Sequence, residues 1–198
     1  MLMRDSSAGG PASTTAPRLA HEIANFHTPI CVAWAAGSRR SLMALEAVSW
    51  PVSSIEAGLA VVSEALMGLQ ALERSVRSAR WIAANRDDAR DSLAAELGRS
   101  GHALHDLDTY HWRLWRLRNR VLEHLDEKFF TRDLTSIQVG EDGLQLSDGH
   151  VFGFKEWRGW LDVIEGWAST LVRTPLKPGA ALGREPGKIR DHMPPAAP

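Results

Sequence analysis

The stretch from His102 to Phe130 reads HALHDLDTYHWRLWRLRNRVLEHLDEKFF. Its apolar and semi-polar positions recur at three- and four-residue steps: Leu104, Leu107, His111, Leu114, Arg118, Val121, Leu125, Phe129. That period belongs to one face of an α-helix and not to a strand, which alternates every second residue. The spacing therefore predicts a long amphipathic helix over 102–130. Its length also sets the fold class, because a helix of this kind buries its stripe against other helices.

The flanks repeat the pattern. Upstream, Ile55, Leu59, Val62, Leu66, Leu69, Leu72 and Val76 form a second stripe, predicting a long helix over about 54–84 that stops at Asn85. Ser53-Ser54-Ile55-Glu56 has the form of a capping box, with Ser53 accepting from the Glu56 amide. Asp87 to Leu97 also reads as helical, and Gly98 and Gly101 break the pattern before the 102–130 helix. Leu19 to Val48 is rich in alanine and leucine, but Pro29 and Gly37 interrupt it, so an irregular helical segment is expected there.

Downstream the period changes. Ser136 to Val139, Leu144 to Leu146 and Val151 to Phe154 are short alternating runs, separated by Glu141-Asp142-Gly143 and Ser147-Asp148-Gly149. Asp-Gly pairs are hairpin turn signals. A hairpin unit of two or three strands is expected over about 136–154. Lys155 to Val172 returns to helical spacing, with Trp157, Trp160, Leu161, Ile164, Trp167, Ala168 and Leu171 on one side. The expected architecture is mainly α, a bundle of about four helices with a small β-hairpin insert before the last one.

The chain has 198 residues, of which 44% are hydrophobic and 24% charged, enough for one helical domain over 18–173. Met1 to Pro17 is expected to be a disordered leader, and the proline- and glycine-rich stretch 174–198 a disordered tail. The leader lacks the apolar run of a signal peptide, and no segment is long enough for a membrane span. Cys31 is the one cysteine, set among Ile30, Val32, Ala33 and Trp34, and is expected to be a small buried hydrophobe. A single thiol fits a reducing, cytoplasmic setting. The formal net charge of −1 gives no global field for nucleic acid, leaving only a local basic stripe to do such work.

Such a stripe exists. Arg113, Arg116, Arg118 and Arg120 interleave with Trp112 and Trp115. Arginines among aromatic rings suit single-stranded RNA, through phosphate contact and base stacking. On a helix turning about 100° per residue, Arg118 falls inside the apolar stripe and His124 about 120° away from it. A guanidinium is costly to bury unless it is paired or lines a polar cleft. A histidine beside a permanent cation is a chemically apt pair for RNA cleavage. The imidazole moves a proton at the ribose hydroxyl, and the guanidinium stabilises charge at the phosphate. The plainer readings are a solvated helix face with Arg118 paired to a neighbouring acid and, for the basic stripe, a helix whose tryptophans are core and whose arginines are solvated.

Arg118-Asn119-Arg120-Val121-Leu122-Glu123-His124, with five residues between the arginine and the histidine, resembles the motif of the HEPN superfamily. Asp126 stands where some members of that superfamily carry a tyrosine. The resemblance implies a small helical bundle that forms homodimers, with Arg118 and His124 as the catalytic pair of a metal-independent endoribonuclease, or an RNA-binding relative without catalysis. Asn119 and Arg120, beside that pair, and Arg116 and Arg113, in the basic stripe, are the candidate substrate-binding residues. RNA is then the partner and no cofactor is expected. Toxin–antitoxin or antiviral settings, with a cognate inhibitor protein, come with the same resemblance. The alternative is a non-catalytic helical interaction or accessory subunit. An open cleft shared by Arg118 and His124 would favour the first reading, and an internal ion pair at Arg118 the second. His102, His105 and Asp106 have the spacing of metal ligands on a helix but lack matching partners elsewhere, so no metal site is expected.

Overall fold

A computed structural model describes residues 26–124, 137–146 and 151–173. The stretches expected to form the leader (1–17), the tail (174–198) and the far end of the long helix (125–130) lie outside the described residues. So do the side chains of Arg120 and His124, although their backbone is helical. Five helices and three strands follow one another: α1 Thr28–Glu46, α2 Ile55–Asn85, α3 Asp87–Arg99, α4 Leu104–His124, β1 Ile137–Gly140, β2 Gly143–Leu146, β3 Val151–Gly153 and α5 Phe154–Arg173. The architecture is mainly α with a small antiparallel sheet before the last helix, and five helices are present among the described residues because 87–99 stands apart from 55–85.

Local chemistry accounts for the boundaries. Ser54, one residue later than the expected cap, accepts from the Ala57 amide at 3.1 Å and starts α2. Helix α4 begins with Asp106 accepting from the Ala103 amide at 2.7 Å. Helix α1 corrects the expectation of an irregular segment, since Thr28–Glu46 is one continuous helix. Pro29 sits in its first turn, where the missing amide costs no hydrogen bond. Gly37 is helical and half-buried, and a Cβ there would lie 3.7 Å from Ala71, ordinary van der Waals contact.

The sheet runs β1-β2-β3, antiparallel throughout, with Gly140 opposite Gly143 and Leu144 opposite Phe152. The first turn is Glu141-Asp142 and not the Asp-Gly pair. Gly143 already belongs to β2, at φ +150°, and any Cβ there would run into the Phe152 carbonyl.

Helix α2 is the central beam, with α1 along it and α4 on another side, while α5 packs mainly against α1. Leu69, Leu72, Val76 and Ile82 of α2 meet Leu42 and Leu45 of α1, Leu107 and Leu114 of α4, and Trp157, Leu161, Ile164 and Trp167 of α5 in one core. The Trp157 indole donates to the Ser38 hydroxyl at 2.8 Å, which donates to the Gly68 carbonyl at 2.8 Å. The Trp167 indole donates to the Ala89 carbonyl at 3.1 Å. Buried tryptophans thus bring their polar tips to a partner, as burial requires.

Candidate functional site: the polar seam between α2 and α4

The α2 stripe carries one charged residue. Glu73 lies between Leu69 and Val76 on the apolar side and is 1% exposed. A lone carboxylate there would be strongly unfavourable, so its partners decide whether α2 packs at all. They come mostly from α4. Arg118 Nη1 donates to Glu73 Oε2 at 3.0 Å, and His111 Nε2 donates to Oε1 at 3.1 Å. Arg77 Nε, on α2 itself, stands 3.9 Å from Oε1. His111 is buried too, and its Nδ1 accepts from Arg80 Nη1 at 2.8 Å. Arg80 continues outward to Asp108 at 2.5 Å.

Burial pushes the Glu73 carboxyl up. The hydrogen bond from His111 and the charges of Arg77 and Arg118 outweigh it, and the net direction is down, toward the ionised form. Among the described residues the seam holds Arg77, Arg80 and Arg118 against Glu73 and Asp108, three cations to two anions. Its outer rim is open: Arg77 is 62% exposed, Arg80 30% and Arg118 23%.

Arg118 is further fixed by Asn119, whose side-chain oxygen accepts from its Nε at 3.3 Å and its Nη2 at 3.0 Å. Three of its five guanidinium N–H groups are engaged in these bonds among the described residues. Of the residues expected to bind substrate, Asn119 joins Arg118. Arg113 does not, because it is turned to the other flank of α4, where it bonds Glu156 of α5 at 2.7 Å and helps fix α5. Arg116 is exposed. By helical arithmetic it lies about 160° from Arg118 around α4 and cannot share its ligand.

Glu73, His111, Arg80 and Asp108 were not singled out by sequence reasoning. A signal existed, since Glu73 interrupts one apolar stripe and Arg118 and His111 interrupt another. Two stripes with opposite charges at their centres are expected to face each other.

Elsewhere, His102 stacks on Trp160 with ring centroids 4.7 Å apart, while His105 contacts Asp106 at 3.2 Å. Among the described residues no group of three or more His, Cys, Asp or Glu has the arrangement to hold a metal ion. Cys31 is fully buried beside Ser75, and burial raises its thiol to about 11, so it carries no thiolate near neutrality. No helix among the described residues is long and apolar enough to cross a membrane. Compared with known proteins, the chain matches no family model, no curated protein and no solved structure.

Proposed function

We propose that this chain is a HEPN-like helical RNA-binding protein of the cytoplasm, and that the rim of the α2–α4 seam is where it holds RNA phosphate. One observation carries the reading. The Arg118 guanidinium is anchored by Glu73 and Asn119 yet remains part-exposed beside Arg77 and Arg80. Its planar fork is held in place before a ligand arrives, so little rotamer entropy is lost on binding. Cleavage is the catalytic form of the same reading. Arg118 would hold the scissile phosphate, and His124, six residues on, would transfer the proton. The homodimer implied by the resemblance would bring two copies of α4 together and double the site. A toxin–antitoxin or antiviral role, with an inhibitor protein, belongs to this proposal as well.

The rival reading is a non-catalytic interaction subunit. The observation in its favour is the ion pair from Arg118 to buried Glu73, because an arginine that neutralises a core carboxylate has a structural task already. The excess of cations among the described residues of the seam and the part-exposed guanidinium of Arg118 weigh toward RNA.

The test is binding of a labelled single-stranded oligoribonucleotide across a salt series, followed by incubation with total RNA. RNA binding requires an affinity that falls steeply with salt, and Arg77→Ala should flatten the slope by about 0.7, the loss of one phosphate contact on a single strand. Cleavage by wild type but not by His124→Ala would add the catalytic step. Absence of any salt-dependent binding would leave the interaction subunit as the better reading. Light scattering that shows a monomer at high concentration would remove the dimer.

A further inference from the structure

We infer that Trp115 is a stacking platform for an unpaired base, and so that the RNA held at the α2–α4 rim is single-stranded. The inference rests on the RNA-binding reading above and specifies its substrate class. Trp115 is 39% exposed, although every other described tryptophan is buried or half-buried. Its ring is not loose. Trp112 meets it edge-to-face, centroids 5.7 Å apart at 80°, and Trp112 is itself braced edge-on against His111 at 6.1 Å. The indole is thus tied through Trp112 to the histidine that holds Glu73.

Its position relative to the cations matches a nucleotide. Trp115 precedes Arg118 by three residues, about 60° around α4 and about 4.5 Å along its axis. It lies on the flank where His111 and Arg118 reach across to α2, and Arg77 projects from α2 at the same seam. A base on the indole therefore has cations beside it for its phosphates. Aromatic stacking accepts any base but requires a bare base face, which a duplex does not offer. The surrounding positive charge selects a polyanion as occupant over an apolar peptide.

The experiment is fluorescence anisotropy with three probes of equal length: a single-stranded oligoribonucleotide, its duplex, and an abasic strand with the same phosphates. Wild type should bind the single strand more tightly than the abasic strand by about 5- to 150-fold, the value of one stacked base. Trp115→Ala should erase that difference, and Trp115→Phe should keep most of it. Unchanged binding by Trp115→Ala, or equal wild-type affinity for the intact, duplex and abasic strands, would overturn the platform while leaving RNA binding in place. No binding of any strand by wild type would overturn both. Because the abasic comparison uses the wild-type protein, the test holds even if Trp115→Ala misfolds.

Discussion

The Arg118 guanidinium donates to the Glu73 carboxylate at 3.0 Å, joining the centres of two apolar stripes that would otherwise each bury an unpaired charge. The same carboxylate accepts from His111 at 3.1 Å, so one acid satisfies two groups of α4. Removing the acid strands both. Glu73→Ala is expected to lower stability by about 3–5 kcal/mol, the cost of breaking a buried pair by deleting one partner. Glu73→Gln keeps an acceptor and should cost about 1.5–3 kcal/mol, the worth of a charge-assisted hydrogen bond. Urea unfolding followed by tryptophan fluorescence measures both. A loss under about 0.5 kcal/mol in Glu73→Ala, typical of a surface substitution, would show that the network does not hold α2 to α4.

The same carboxylate makes acid stability predictable in sign. Its pKa in the folded protein lies below the ordinary value of 4.5, since the His111 hydrogen bond and the Arg77 and Arg118 charges overcome burial. A depressed carboxylate contributes its full stabilisation above the unfolded value and loses it as pH falls through the folded value. The melting temperatures of wild type and Glu73→Gln should therefore differ most near neutrality. They should converge as pH falls below the ordinary carboxylate value of 4.5 and through the lower folded value, where the wild-type carboxyl takes up its proton. A gap that stays constant over that range would contradict the assignment.

How much of this was legible in the sequence depends on which residues are asked. The stripe from Ile55 to Val76 and the tryptophan-bearing face of 155–172 announce α2 and α5, because 3.6-residue spacing over many turns has no competing explanation. The change of period at Ser136 likewise marks the sheet. Helix α1 was misjudged because Pro29 and Gly37 count as breakers when context is ignored. Proline in a first turn and glycine against a neighbouring helix are both compatible with a continuous helix. Arg118 could be flagged as a charge on an apolar face, and it does pair with an acid, but with a buried one across the α2–α4 seam and not on a solvated helix face. The identity of that acid was not legible. Periodicity places a residue on a face but does not say which faces meet, and Glu73 is 45 residues away from Arg118.

Gly68 tests how closely the helices approach. A Cβ there would come within 2.6 Å of the Ser41 Cβ and of the Trp157 ring, and Trp157 is fully buried. In an exposed helix, glycine to alanine would gain roughly 1 kcal/mol of propensity. Here the added methyl must push Trp157 off the Ser38 hydroxyl, which that hydroxyl's bond to the Gly68 carbonyl holds in place. Gly68→Ala is expected to destabilise by about 1–3 kcal/mol despite the better helix former, as overpacking does. Near-UV circular dichroism should report the displaced indole. A more stable Gly68→Ala protein would mean that α1 and α5 yield readily around α2.

The last prediction concerns chemistry at the Arg118–His124 pair. If the proposed cleavage occurs, the attacking group is the ribose 2′-hydroxyl, because the pair supplies one proton carrier and one charge stabiliser and no activated external nucleophile. Losing the proton carrier in His124→Ala should slow cleavage by about 10²–10⁴-fold. Losing the charge stabiliser in Arg118→Ala should slow it by about 10²–10³-fold, and it should also destabilise the protein, since among the described residues Glu73 then keeps only His111 and the more distant Arg77. That second effect separates the roles: Arg118→Lys should recover part of the stability, because an ammonium can still meet Glu73, but little of the cleavage, because the fork is lost. Arg120→Ala should have a milder effect. The 5′ fragments should end in 2′,3′-cyclic phosphate, cleavage should persist in EDTA, and DNA of the same sequence should stay intact for want of the 2′-hydroxyl. Mass spectrometry of the fragment ends decides the matter. Fragments ending in a 3′-hydroxyl, or cleavage undiminished in His124→Ala, would exclude the mechanism and return the α2–α4 seam to a binding role.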